Sequence, residues 1–244
     1  MTAYRFDGSF DGLLCCIFRS FSEKETPFAV FSSDFQPSFD TVIKDVATEP
    51  GKAEIVKKGI IKCGSISLLS TFSYAMRSGD GLKETVIFNA IRKCIENKKD
   101  MLSDYADYDM LAFYDLTKRI SFETHRFKGF LRFEECLGGG YYAHFEPDND
   151  VCDLLAPHFK KRFPSQKFII HDVKRNKFVL YDGERSFVFC GKSPLTLFLS
   201  AEEKDFQALW KTYYDSVNIK ERYHPKQQDN YLPRRYRKNM TEFR

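Results

Sequence analysis

The chain has 244 residues, with 38 Lys and Arg against 34 Asp and Glu, and 43% of its residues are hydrophobic. This composition is typical of a globular protein, because disordered chains have fewer apolar residues and a larger charge imbalance. No segment reaches the roughly 18 consecutive apolar residues of a membrane span, and the first residues lack the pattern of a secretory signal, so no membrane association is predicted. Seven cysteines without Cys-x-x-Cys spacing indicate reduced thiols in a cytoplasmic protein, not a disulfide framework or a zinc site.

The formal net charge of +4 hides a segregation of charge along the chain. Residues 158–177 contain seven basic residues and one acidic residue, a net charge of +6. Residues 218–244 contain eight basic and three acidic residues, a net charge of +5, so the remainder of the chain carries −7. Two strongly basic segments favour an anionic partner, and two solvated surfaces are the alternative interpretation.

The first half of the chain is predicted to begin with a β-α-β arrangement and to continue as helices. In chain order, the predicted elements are a strand at residues 4–6, a helix carrying Leu13, Ile17 and Phe21, a strand at 27–31, a loop at 35–40 and a mainly helical stretch from about 40 to 126. Val86, Ala90 and Cys94 repeat every four residues and indicate the clearest helix of this stretch. A second helical period runs from Met110 to about residue 126.

The second half is predicted to contain short, aromatic-rich antiparallel strands with a helix between them. The predicted elements are a hairpin of strands 129–133 and 141–145, a helix from about residue 150 to 159, strands at 168–170, 177–181 and 186–190, a helix with an apolar stripe from Phe206 to Val217, and a basic tail. This order predicts an α+β fold. The chain is expected to form one unit over residues 1–244, or two subdomains, 1–125 and 126–244.

Several segments resemble a bacterial family built on the domain of unknown function 4130. One is residues 126–135, with the sequence RFKGFLRFEE. The others include YAHFEPD at 142–148, LLAPHF at 154–159, RFP at 162–164, IHDVKR at 170–175, LWKTYY at 209–214 and YRFDGSFDG at 4–12. The resemblance covers essentially the whole chain and is specific in its middle and at its end.

That family is described as DNA-repair or DNA-metabolism proteins. It is associated with a radical-SAM partner protein, and its domain also occurs joined to uracil-DNA-glycosylase-like modules. The resemblance therefore implies a function in DNA metabolism beside a partner enzyme, without an assigned reaction. The four-cysteine pattern that binds an iron–sulfur cluster is absent from the sequence, so any radical chemistry would belong to the partner, and no cofactor is predicted.

Basic residues interleaved with aromatic ones predict a surface that binds nucleic acid, with DNA as the expected ligand. Lys and Arg side chains neutralise phosphates, and aromatic rings stack on unpaired bases. The predicted contact residues are Arg126, Lys128 and Arg132 at the hairpin, Lys160, Lys161 and Arg162 at a helix end, Lys174 and Arg175 at a strand end, and Arg222, Arg234 and Arg235 in the tail. The alternative is that these arginines pair with acidic residues and hold the tail against the body.

A catalytic function is the second interpretation. His144, His158 and Asp172 lie in adjacent predicted elements, and a site in which they converge would use a carboxylate to activate water while a base is excised. No spacing matches a known catalytic motif, and histidines that are hydrogen-bonded near the core are the ordinary alternative. The third interpretation is a protein-interaction adaptor whose basic tail binds an acidic partner. The sequence has no His-x-x-x-His or Cys-x-x-Cys pair, so no metal site is predicted.

Overall fold

The structure is a computed structural model that describes residues 1–32, 40–191 and 199–244. It confirms the α+β fold, with a helical middle, a sheet of mostly antiparallel strands and a C-terminal helix. The chain divides into two compact units, Met1–Ser121 and Phe122–Arg244. None of the described helices combines the length and the apolar character that a membrane crossing needs.

The first unit begins with the predicted β-α-β arrangement. Strand β1 (Thr2–Arg5) is followed by helix α1 (Phe10–Ser22) and by strand β2 (Ala29–Phe31), which pairs with β1 in parallel. A third strand, β3 (Val42–Asp45), pairs in parallel with the other edge of β1 and was not predicted, because its short, largely exposed sequence lacks an apolar alternation. Most of the loop expected at 35–40 lies outside the described residues.

The helical middle of the first unit is confirmed. Its helices are α2 (Pro50–Cys63), α3 (Ile66–Ala75), α4 (Lys83–Asn97) and the first part of α5 (Tyr108–Phe130). The periodic residues of α4 form its core face, since Ile87, Phe88, Ala90, Ile91 and Cys94 are all fully buried.

The second unit contains a five-stranded sheet in the order β4-β5-β6-β7-β8. Its strands are β4 (Glu134–Glu135), β5 (Tyr141–Phe145), β6 (Phe168–Asp172), β7 (Lys177–Tyr181) and β8 (Ser186–Cys190). The chain passes from β5 to β6 through helix α6 (Cys152–Arg162), so this pair is parallel, whereas the other three pairs are antiparallel. The helix predicted from about residue 150 to 159 is present as α6, although an interior proline disfavours a helix, and Pro157 lies on its exposed side.

The prediction of a strand at residues 129–133 is wrong. Helix α5 continues to Phe130, and the first strand of the hairpin is reduced to the two residues of β4. The reason is the spacing of the buried side chains, because Glu123, Phe127 and Leu131 follow each other at intervals of four and face the core together. Arg126 and Lys128 therefore lie on the last turns of a helix and not in a hairpin.

The C-terminal segment is helical and folds against the second unit. It consists of α7 (Glu203–Val217), a 3₁₀ turn at Lys220–Arg222, α8 (Pro225–Tyr231), α9 (Arg234–Arg237) and a 3₁₀ turn at Thr241–Phe243. Tyr236 and Met240 are buried, so the basic tail is part of the folded unit. The predicted apolar stripe of α7 is present but does not form core, since Phe206 and Leu209 are 61% and 64% exposed.

Candidate functional site

A buried carboxylate at Glu123 holds the C-terminal segment in place. The hydroxyl of Tyr236 donates a hydrogen bond to Glu123 Oε1 over 2.6 Å, and the backbone amides of Asp148 and Asn149 donate to the same carboxylate over 2.7 and 2.8 Å. The side-chain amide of Asn149 adds a fourth hydrogen bond of 2.6 Å. Burial, followed by the hydrogen bond to Glu123, raises the pKa of Tyr236 well above its usual value. The Tyr236 hydroxyl therefore stays protonated and remains a donor at neutral pH.

Several basic residues predicted to bind nucleic acid form hydrogen bonds or ion pairs within the second unit. Arg132 donates two hydrogen bonds to Glu242, and Arg235 pairs with Asp148 at 2.6 Å. Although burial alone would raise the pKa of Glu242, hydrogen bonds led by that from Arg132 lower it below its usual value. Two further residues are engaged in the same way, Arg234 with Asp229 and Arg126 with the backbone carbonyl of Asn230. These contacts match the alternative interpretation, in which arginines fasten the tail.

Arg175 and Asp172 form a structural pair at the turn between β6 and β7. Asp172 is fully buried, and its carboxylate accepts hydrogen bonds from the Arg175 guanidinium over 2.9 Å and from the Arg175 backbone amide over 3.2 Å. Burial raises the pKa of Asp172, and the neighbouring Arg175 opposes that shift only in part. Arg175 also donates to the backbone carbonyls of Pro147 and Asp148, so the pair links the turn after β6 to the segment that follows β5.

A cleft of about 710 Å³ lies within the second unit, between the end of α5, β4, α6 and α7. Six aromatic side chains line it: Phe133, Tyr141, Phe159, Phe163, Phe206 and Trp210. Three basic side chains line it as well, and all three are among the predicted nucleic-acid contacts: Lys128, Arg132 and Arg162. Aromatic rings beside cationic groups are the combination that binds nucleotides, with stacking for the base and charge for the phosphate.

Two of the cations in the cleft are available to a ligand. Within the described residues, neither Lys128 nor Arg162 pairs with a carboxylate, and the Arg162 guanidinium lies 5.6 Å from the centre of the Phe163 ring. Arg132 is held by Glu242 and lies over the Trp210 ring at 5.5 Å. Lys128 and Arg162 also lower the pKa of His158, although burial is the larger cause, so both cations act on the same part of α6.

The remaining predicted contact residues lie elsewhere in the second unit. Lys160 and Lys161 line a separate hollow of about 490 Å³, where Lys160 lies over the Tyr181 ring at 5.3 Å. Arg222 lines a third hollow of about 280 Å³ in the tail, and Lys174 is exposed at the turn after β6. The structure therefore brings only Lys128, Arg132 and Arg162 of the predicted set into the 710 Å³ cleft.

The residues predicted for catalysis are spread over three elements, and none of them lines the cleft. His144 on β5 lies 3.1 Å from Arg244 and 3.8 Å from Glu134, and His158 on α6 packs edge-on against Phe159. The carboxylate of Asp172, at the end of β6, forms an ion pair with Arg175. Within the described ranges, no three His, Cys, Asp or Glu side chains lie close enough together to hold a metal ion.

A family model describes most of this chain. The model of the domain of unknown function 4130 (DUF4130) matches residues 82–242. The chain belongs to this family. Neither the curated proteins nor the solved structures contain a significant match to this chain. All the residues that line the cleft lie inside the segment that matches the DUF4130 model.

Sequence reasoning missed part of the cleft in this DUF4130 protein. Phe206 and Trp210 were assigned to a core stripe, and Glu203 and Gln207 on the same helix were not singled out. The spacing of these four residues, at i, i+3, i+4 and i+7, puts them on one side of α7, which is a usable signal. What the sequence lacks is any sign that this side of the helix faces a cleft and not a core.

The histidines give the second unit a predictable response to acid. Burial lowers the pKa of His144, His158 and His171, so their protonation favours the unfolded chain, where the pKa is about 6.5. The stability that depends on neutral histidine is present above that pH and is lost as the pH falls below it. We therefore expect the free energy of unfolding, measured with urea, to drop between about pH 7 and pH 5.

Replacing one histidine should reduce this drop. His171 stacks on Phe178 at 4.0 Å and its Nδ1 lies 2.7 Å from the Tyr142 hydroxyl, so His171→Leu removes a half-buried titrating group. The variant is expected to lose less stability on acidification than the natural protein. Tyr142→Phe, which removes the hydrogen bond and keeps the imidazole, is the control and should retain the larger drop. An unchanged drop in His171→Leu contradicts the prediction.

Proposed function

We propose that this protein binds single-stranded nucleic acid, with DNA as the natural ligand, in the 710 Å³ cleft of its second unit. The observation that carries the proposal is the presence in one cleft of exposed aromatic rings beside two cations, Lys128 and Arg162, that pair with no carboxylate of the described residues. Lysine and arginine bind phosphates, whereas aromatic rings stack on bases, so the cleft offers a partner to both parts of a nucleotide.

A single strand fits the cleft better than a duplex does. Phe206 is 61% exposed and Trp210 is 39% exposed, so both rings are accessible to a base that enters the cleft. The bases of a duplex are already stacked on each other and reach such rings only if the strand opens, at a cost of about a few kcal/mol. We therefore infer a preference for unpaired strands.

The family supports DNA as the ligand and a partner enzyme as the source of chemistry. The resemblance described above connects DUF4130 proteins with DNA repair, a radical-SAM partner and glycosylase-like modules. Because His144, His158 and Asp172 do not line the cleft, we propose that this chain binds the strand and that a partner acts on it. The bacterial source and the cytoplasmic location stay predictions.

Phe206 provides the sharpest test of stacking. Phe206→Ala is expected to weaken binding of a labelled single strand by roughly tenfold, because stacking on one aromatic side chain contributes about 1–3 kcal/mol. Leu209→Ala is the matched control, since Leu209 lies on the same helix, is 64% exposed and does not line the cleft. Fluorescence anisotropy titrations at several salt concentrations measure both variants and the natural protein.

The same titrations decide the proposal as a whole. We expect the natural protein to bind the single strand more tightly than the corresponding duplex, with an affinity that falls steeply as salt rises. No binding at about 50 mM salt, or an affinity that does not change with salt, contradicts the proposed function. Equal losses in Phe206→Ala and Leu209→Ala place the binding surface outside the cleft.

A further inference from the structure

One part of the cleft carries carboxylates and an amide instead of cations. Glu135 at the end of β4 and Glu203 and Gln207 on α7 line the cleft together. The Glu135 backbone amide donates to Glu203 Oε2 over 2.8 Å, which links the two elements. Among the described residues, neither Lys128 nor Arg162 pairs with Glu135 or Glu203, so these two carboxylates do not neutralise the two cations.

The hydrogen bonds already made in this acidic part determine which groups are left for a ligand. The Gln207 side-chain nitrogen donates to Glu203 over 2.9 Å and to Glu134 over 3.4 Å. Because two carboxylates can only accept, the orientation of the Gln207 amide is settled, and its carbonyl oxygen is directed away from them. Glu135 Oε2 accepts one hydrogen bond from Ser200 over 3.3 Å, and no described residue donates to Glu135 Oε1. The groups that remain are hydrogen-bond acceptors.

An acceptor surface beside stacking rings distinguishes between nucleobases. Adenine, cytosine and guanine each carry an exocyclic amino group that donates hydrogen bonds. Thymine carries no amino group, and its single donor, the ring N3–H, lies between two carbonyl oxygens that would face the Glu135 carboxylate and the Gln207 carbonyl unfavourably. A phosphate is also repelled by Glu135 and Glu203 and is attracted by Lys128 and Arg162, so the base is the part of the nucleotide that enters the acidic part of the cleft.

We propose that the cleft selects a nucleobase with an exocyclic amino group, and that Glu135 accepts a hydrogen bond from that group. This inference rests on the proposed function, because it assigns the base specificity of the same cleft. The chemical class of the ligand is thus a single-stranded nucleotide of adenine, cytosine or guanine. Thymine and uracil are the disfavoured bases.

Single strands that each carry only one base test this preference for an amino-bearing base. The probes are short labelled strands of abasic nucleotides that carry one adenine, cytosine, guanine or thymine at the centre, together with a fully abasic strand. The natural protein is expected to bind each of the three amino-bearing probes at least about fivefold more tightly than the thymine probe. Glu135→Gln is expected to narrow that ratio, because an amide presents either a donor or an acceptor. Leu209→Ala, outside the cleft, should keep the ratio.

Each outcome decides one of the two claims. If the natural protein binds the four base-bearing probes equally, or binds the thymine probe most tightly, the base preference is wrong and strand binding stands. If neither these probes nor an ordinary single strand binds, the proposed function fails. The ranking of bases by the natural protein needs no variant, so a folding defect in Glu135→Gln would leave the test intact. A ratio that is unchanged in folded Glu135→Gln removes Glu135 from the recognition.

Discussion

Replacing Glu123 with alanine is expected to destabilise the second unit by about 3–5 kcal/mol, because several buried donors lose their acceptor together. The Glu123 side chain is buried and accepts hydrogen bonds from Tyr236, from two backbone amides and from the Asn149 side chain. Alanine offers none of these groups a hydrogen-bond partner. The C-terminal segment should therefore detach at lower urea concentrations than in the natural protein.

Tryptophan fluorescence reports this change from the second unit alone. The chain contains one tryptophan, Trp210, whose indole nitrogen donates to Glu242 in the C-terminal segment over 3.1 Å. Urea unfolding followed at this residue gives the free energy of the second unit. Tyr236→Phe should cost less, about 1.5–3 kcal/mol, because it removes the hydroxyl contacts with Glu123, Asp148 and Arg235 but leaves Glu123 its other three donors.

A matched control distinguishes the loss of the buried Glu123 carboxylate from the effect of removing one negative charge. Glu184 is exposed at the turn between β7 and β8, and Glu184→Ala should change the free energy of unfolding by less than about 0.5 kcal/mol. If Glu123→Ala costs no more than Glu184→Ala, Glu123 does not hold the C-terminal segment. The prediction concerns the fold only and is independent of the ligand.

Removing Lys128 and Arg162, the two cations of the cleft that pair with no carboxylate of the described residues, is expected to have the largest effect on binding. The double variant Lys128→Gln, Arg162→Gln should lower the affinity for a single strand roughly ten- to thirtyfold at about 0.1 M salt, because two phosphate contacts are lost. The slope of log affinity against log salt should become shallower by about 1.4, since each contact with a single strand contributes about 0.7. Anisotropy titrations over a range of salt concentrations measure both quantities.

The control for this variant removes the same charge outside the cleft. Lys204 and Lys226 are exposed in the second unit and do not line the cleft. The double variant Lys204→Gln, Lys226→Gln therefore matches the change in net charge. Its affinity and salt slope should stay close to those of the natural protein. If both double variants lose affinity equally, the net charge of the unit, and not the cleft, governs binding.

Much of the fold was predictable because its signals are local. The four-residue repeat of Val86, Ala90 and Cys94 predicted α4, and the aromatic-rich runs predicted β5 to β8. The errors came where one pattern has two interpretations. The aromatic run at residues 127–133 fits a strand or a helix. The structure shows a helix, in which the Phe127 ring packs against the rings of Phe145 and Tyr236, each at a centroid distance of 4.8 Å.

The candidate site was predictable only in part. Lys128, Arg132 and Arg162 were predicted from composition and lie in the cleft. Glu203 and Gln207, which supply acceptors of the base-selective part, follow from no motif, and the 126–135 segment that contains Glu135 gives no sign that this residue lines a cleft. Their contribution depends on the pairing of β4 with β5 and on where α7 lies against β4, which are contacts between distant segments.

The sequence by itself determined the α+β class, most of the helices and strands, the two basic segments and the family to which the chain belongs. Only the tertiary structure decided which basic residues are free. Two of the arginines pair with carboxylates that are far away along the chain, since Arg132 and Glu242 are 110 positions apart and Arg235 and Asp148 are 87 apart. A count of charges gives the excess of each segment, whereas the pairing of each charge depends on three-dimensional contacts. For that reason the net charge of +4 does not identify the two cations of the cleft, Lys128 and Arg162, that pair with no carboxylate of the described residues.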